Sequence, residues 1–159
     1  MRIVLVRIAT LLALAPLPAA AQFATLPPAD QVMSFSPAQC SALSEIHTAV
    51  ASRSSDDIER IGAAMEANRY GDPAEVSRIS GLSIPTVTTM GALDQQQGMA
   101  FSLVFGSMLR QYHPELLMKV LRERGPLGQV PDVSGNPLGM ALLDGMLNSA
   151  QQSYLGQCT

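Results

Sequence analysis

Apolar positions along this chain recur every three or four residues, and most such runs follow a residue that starts helices. Ser36-Pro37-Ala38-Gln39 combines a Ser N-cap, a Pro at the first helical position and a Gln three after the cap. Phe35 precedes the cap and is placed to staple onto Cys40. Cys40, Leu43, Ile46, His47 and Val50 then share one helical face. Ser54 to Asp57 is a second cap, followed by Ile58, Ile61 and Met65, with Gly71 as the expected stop. Asp72-Pro73-Ala74-Glu75 opens a short helix that carries Val76 and Ile79 and ends at Gly81.

Residues 82–93 read two ways. Thr86-Val87-Thr88-Thr89 has strand propensity. Ile84, Val87, Met90 and Leu93 recur at a spacing of three, Ser83 can cap, and Pro85 hinders an interior strand, so a helix is expected.

Asp94 opens the most apolar stretch, and Gly98 to Leu109 holds no charge. Apolar residues on every side predict a helix buried all round. Gly98, Ser102 and Gly106 lie four apart, a small-residue line that lets another helix approach closely. His113-Pro114 breaks this helix, and Pro114 to Arg124 forms the next, with Leu117, Val120 and Leu121 inward. Glu115–Lys119 and Lys119–Glu123 are spaced to pair on its outer side. Residues 125–135 form the longest loop, broken by Gly125, Pro126, Gly128 and Pro131. Asn136-Pro137 starts the last helix, whose expected stripe is Leu138, Leu142, Leu143, Met146, Leu147, Ala150 and Tyr154. Gly156 is its expected stop. The pattern predicts an all-α fold: a compact single-domain array of six or seven helices over residues 36–159.

The front of the chain reads differently. Arg2 and Arg7 precede a short apolar core from Ile8 to Leu17, and Ala19-Ala20-Ala21 supplies the small residues that a signal peptidase needs. Residues 1–21 are therefore expected to be a Sec signal peptide of bacterial type, cleaved between Ala21 and Gln22, which would place the protein in the periplasm or outside the cell. No run of eighteen apolar residues occurs, so no membrane span is expected. Residues 22–35, containing Pro27-Pro28, read as an extended leader.

Loss of Arg2 and Arg7 with the signal takes the formal charge from −3 to −5. Most of the acidity lies in front: residues 22–93 hold four positive and eight negative groups. This balance disfavours anionic surfaces, and nucleic acid is not an expected partner. The charged share is 14% against 47% hydrophobic, which excludes a disordered chain. Cys40 and Cys158 are the two cysteines, and an even count in an oxidising compartment predicts one disulfide tying the first helix to the C-terminus.

The search for chemistry finds little. The chain has no C-x-x-C-H, H-E-x-x-H, G-x-S-x-G, P-loop or dinucleotide glycine fingerprint. Two histidines exclude a three-His metal site, and a Ser-His-Asp triad has no local signature. His47 is expected half-buried with a satisfied ring nitrogen, and His113 as a junction or capping residue. After the signal the chain retains eight methionines: Met33, Met65, Met90, Met99, Met108, Met118, Met140 and Met146. They lack the clustering of a Cu(I) site and read as flexible core filler; a His/Met haem has no second signal. Asp56, Asp57 and Glu59 crowd a helix N-terminus, where the macrodipole accounts for them. Glu66 shares the face of Glu59, but glycosidase chemistry needs two carboxylates across a cleft.

No catalytic, cofactor or metal residue is therefore nominated, and the expected protein is not an enzyme. The expectation is a small exported protein that acts by contact with another protein or with itself. Its basis is the low charge of the 94–112 and 137–155 helices, which offer more apolar area than so small a domain readily covers. The plain alternative is that both helices form the core. Two further readings stand beside it: a carrier of a small apolar ligand or metal in the helical interior, and an envelope enzyme built on a cleft with His113 or a carboxylate.

Overall fold

The computed structural model describes residues 33–67, 71–124 and 136–159. The expected signal peptide, residues 22–32 of the leader and the loop 125–135 lie outside them. Seven helices follow one another among the described residues: α1 (Pro37–Ser52), α2 (Ser55–Ala67), α3 (Pro73–Ser80), α4 (Ile84–Gly91), α5 (Gln95–Tyr112), α6 (Pro114–Arg124) and α7 (Pro137–Cys158). No strand occurs among these residues.

The starts are where the capping residues put them. Ser36 and Asp94 each accept the N–H of the Gln three positions on, while that Gln returns a bond to the cap backbone. Asp72, Ser83 and Asn136 cap α3, α4 and α7 by accepting backbone N–H groups of the first turn, without the return bond. Ser54 does so for α2, its Oγ accepting from the Asp57 N–H at 3.2 Å. The 82–93 segment is helical as its spacing of three predicts, since Pro85 falls in the first turn where no N–H is missed. Gly81 ends α3 in the left-handed conformation at φ 68°, where a side chain would be strained.

Packing is organised around α5. It lies most extensively on α7 and also meets α1 and α6; α1 packs on α4 and α7, and α3 joins α2 to α4. The core runs through Leu43, Ile46 and Val50 of α1, Phe101, Val104 and Met108 of α5, Leu117 and Leu121 of α6, and Leu143, Leu147 and Tyr154 of α7. From Phe101 to Leu109 only Ser102 is exposed, so α5 is enclosed on almost every side, as its uncharged sequence predicts.

The small-residue line on α5 needs correction. A Cβ at Gly106 would meet the Leu147 side chain of α7 at 2.9 Å, so close approach is real there. At Gly98 a Cβ would meet nothing within 4 Å, and Ser102 is exposed with its hydroxyl turned back to the Gly98 carbonyl. The contact with α7 thus uses one position of the three.

Other local expectations shift. Lys119 bonds Glu59 across to α2 at 2.6 Å, because a neighbouring helix offers a carboxylate nearer than the pairing along its own helix. Phe35 sets its ring edge-on to Phe101 at 6.1 Å, so its packing partner lies on α5. Helix α2 is described as far as Ala67, and the residues between it and Gly71 lie outside the described ones. Helix α7 passes through Gly156 to Cys158, where the Cys40–Cys158 disulfide secures it. A glycine stops a helix by taking positive φ, and among the described residues only Gly81 does so.

The last turn of α7 also fastens the start of the described chain. The Gln157 side chain accepts the Phe35 N–H at 3.0 Å and donates to the Met33 carbonyl. Met33 and Phe35 are half-buried against the core, so the end of the leader is held on the fold.

Candidate functional site

Helix α7 carries two faces of different fate. Gly139, Leu143, Leu147, Ala150 and Tyr154 are buried against α5 and α1. The outward half of the helix holds Leu138 and Leu142, 69% and 45% exposed and one turn apart, and further along Leu155, 48% exposed and turned about 140° from Leu142. Between them lie Ala141, Gly145, Asn148 and Gln152, all exposed and uncharged. At a rise of about 1.5 Å per residue the strip is roughly 27 Å long. Its one charge, Asp144, sits at the border and is bonded by Arg110 of α5 at 3.2 Å. Arg110 also reaches Asn148, so the only charged residues of α5 and α7 satisfy each other beside the strip.

This splits the expected stripe. Leu143, Leu147, Ala150 and Tyr154 face inward as expected, with Met146 half-buried, but Leu138 and Leu142 face outward. The signal was present in the spacing. Leu142 and Leu143 are adjacent, so they point about 100° apart, and the buried set centres on Leu143. A continuous apolar run hides that division when positions are counted and angles are not.

His47 sits half-buried where α1, α5 and α7 meet. Its Nε2 lies 3.1 Å from the Tyr112 hydroxyl. The ring is tilted against Tyr112 at 5.5 Å and edge-on to Tyr154 at 6.2 Å. Burial pushes the Tyr154 phenol above its ordinary pKa, opposed by a hydrogen bond with Ser44. These groups join three helices through a polar seam.

His113 is the junction residue its sequence suggests. Its backbone N–H donates to the Leu109 carbonyl at the end of α5, and its carbonyl accepts from Leu117 in α6. Its ring bonds the Val50 carbonyl at 2.8 Å and the Ser55 hydroxyl at 2.9 Å. Sequence reading did not join His113 to Ser55, because the two are 58 residues apart and on different elements.

The Glu45 carboxylate is committed to structure. It accepts the Ser83 N–H and hydroxyl at 2.5 and 2.6 Å and the Thr86 hydroxyl at 2.5 Å, which fastens the start of α4 to α1. Desolvation pushes this carboxyl upward. The three hydrogen bonds, together with the Arg53 charge, outweigh it and hold the group below the usual carboxylate range.

The methionines are distributed over the leader and five of the helices. Met108 is buried, Met33, Met90, Met118, Met140 and Met146 pack half-buried against the core, and Met99 is half-buried at the start of α5. The Met65 side chain lies outside the described residues. Among the described residues no three His, Cys, Asp or Glu side chains converge as metal ligands would. Two open depressions among the described residues, of about 350 and 280 Å3, lie at Pro114, Glu115, Met118 and Arg122 and around Glu45, Arg53 and Leu82. No helix among the described residues is long and apolar enough to cross a membrane. The chain matches no protein-family model, no curated protein and no solved structure.

Proposed function

We propose that this is an exported, periplasmic protein that works by contact with another protein, and that the outer face of α7 makes the contact. The observation that carries this reading is the exposure of Leu138 and Leu142, one turn apart on the outer side of α7, with Leu155 exposed further along the same helix. Leaving leucine in water forgoes the stabilisation that burial supplies, about 25 cal/mol for each Å2 of apolar surface. Exposed apolar patches on a protein surface commonly mark places that are covered in use. The absence of charge fits a contact held by shape and apolar area, without electrostatic steering.

The site is rigidly presented. Helix α7 is joined to α1 by the disulfide and to α5 by the Gly106–Leu147 contact and the Arg110 bonds. A rigid helix face loses little conformational freedom on binding, which favours association. The export reading rests on the signal-like residues 1–21 and agrees with a disulfide, a bond that persists in oxidising compartments.

The test is site-specific photocrosslinking in the cell envelope. A photoreactive residue at position 142 or 155 should give a discrete protein adduct, and one at position 78, on the charged side of α3, should not. Adducts of equal yield from all three positions, or none from 142 and 155, would overturn the reading. Intact mass of the purified protein then checks a start at Gln22 and the loss of two hydrogens to the disulfide.

A further inference from the structure

We propose that Ser55 and His113 form a nucleophile–base pair able to accept an acyl group from a small activated ester. This activity is independent of the contact made by α7.

His113 stands between α5 and α6 at φ −140°, ψ 60°, outside helical geometry, with Pro114 beginning the next helix. Its Nε2 lies 2.8 Å from the Val50 carbonyl. A carbonyl oxygen only accepts hydrogen bonds, so Nε2 carries the hydrogen. In the neutral ring the lone pair is then on Nδ1, which is 2.9 Å from the Ser55 hydroxyl. Nucleophile and base are within reach, and a third group fixes the base, which is the arrangement that activates a serine. The two ring nitrogens are used in the reverse sense to the familiar triad, with a backbone carbonyl in place of the carboxylate.

The bond could be explained as a helix cap, but Ser54 already fills that role. The Ser54 Oγ accepts the Asp57 N–H, and the Ser54 carbonyl accepts from Ile58. The Ser55 hydroxyl is free of capping duty and is aimed at His113. Ser55 is also exposed, so a substrate can reach its oxygen. The Val50 carbonyl is available for its part because α1 ends at Ser52, leaving last-turn carbonyls without helical partners.

The surroundings narrow the substrate class. Asp56, Asp57 and Glu59 lie on the same first turns of α2. Asp57 is paired with Arg60 and Glu59 with Lys119. Asp56 has no ion pair among the described residues, and its charge disfavours anionic acyl donors. The fitting substrate is a neutral or cationic ester with a good leaving group.

In the first step the Ser55 oxygen bonds to the carbonyl carbon and its proton passes to Nδ1 of His113. The bond from that carbon to the leaving oxygen then breaks, and the leaving alkoxide or phenoxide takes the proton from Nδ1. Water attacks the resulting Ser55 ester and gives its proton to Nδ1. The carboxylic acid is released as the Ser55 oxygen recovers a proton. No oxidant, reductant or further reactant is required.

The test uses the full oxidised chain and two probes, an alkyl fluorophosphonate and p-nitrophenyl acetate. One fluorophosphonate should add to each chain, mapped to Ser55 by peptide mass, with release of fluoride. Ser55→Ala should abolish the adduct and the ester turnover. His113→Gln keeps a donor for the Val50 carbonyl but has no base, and should slow both reactions by about 100-fold or more. Labelling of the wild-type chain should disappear in denaturant, since the pair exists only in the fold. This control reads the same feature if His113→Gln folds poorly. Absence of an adduct at Ser55, an unchanged rate in a folded His113→Gln chain, or labelling that survives unfolding would each overturn the proposal.

Discussion

Helices α5 and α7 look alike in sequence and fare differently in the fold. Each carries one charged residue, Arg110 and Asp144, and the two bond to each other. Each is rich in apolar and small residues. Yet α5 is enclosed from Phe101 to Leu109, whereas α7 exposes Leu138, Leu142 and Leu155. The difference lies in the number of neighbours. Helix α5 is covered by α1, α6 and α7, while α7 rests on α5 and α1. Apolar composition therefore predicts that a helix seeks cover, but topology decides how many of its sides receive it. The side of α7 left over is the surface assigned to a partner.

The first way to break this comparison is to release α7 at its end. The disulfide spans 118 residues of sequence and joins the last turn of α7 to α1. Removing it with Cys40→Ser and Cys158→Ser should lower stability by about 2–5 kcal/mol, since the unfolded chain loses a long-range constraint. Urea titration of the double variant, and of the wild-type protein with and without reductant, measures this. Coincident transitions would mean that the packing of α7 on α5 holds the helix without covalent help.

The second test acts at the contact between the two helices. Gly106→Leu places a branched side chain where even a Cβ would stand 2.9 Å from Leu147. The expected loss is about 1–3 kcal/mol, because Leu147 must move within a packed core. Gly98→Ala, on the same line of α5, meets open space and should gain up to about 1 kcal/mol from helix propensity. Opposite signs at positions eight residues apart would establish that only one end of the line is a helix contact. Equal losses would show that Gly98 also has a close neighbour.

These two tests mark what was legible in the sequence. Helix starts are local: Ser36, Asp72, Ser83, Asp94 and Asn136 each act on a backbone within three residues, so each could be read from spacing. The 118-residue disulfide was readable for another reason, since two cysteines allow one intramolecular pairing. The division of α7 into buried and open faces was only half legible. Its angular pattern is local, but which face meets α5 depends on a partner that the pattern does not name. Lys119 and His113 show the same limit more sharply. Their partners, Glu59 and Ser55, lie 60 and 58 residues away, and nothing in the spacing selects them. Gln157 is a third case, since its hold on Met33 and Phe35 depends on the two ends of the described chain meeting.

The smallest effect is the one that bears most directly on function. Leu142 is 45% exposed and has the exposed Leu138 one turn before it on the same side, so much of its side chain already faces water. Leu142→Gln substitutes a good helix former of similar length that introduces no charge near Asp144. Its stability should stay within about 0.5 kcal/mol of the parent, as for other surface positions without special contacts. Leu138→Gln, at 69% exposure, should move it still less. The same replacements remove apolar area from the proposed contact, so photocrosslinking from position 155 should weaken while thermal unfolding is unchanged. A loss of several kcal/mol in Leu142→Gln would instead place this residue in the core. In that case α7 would be covered as α5 is, and the contrast between the two helices would no longer mark an interface.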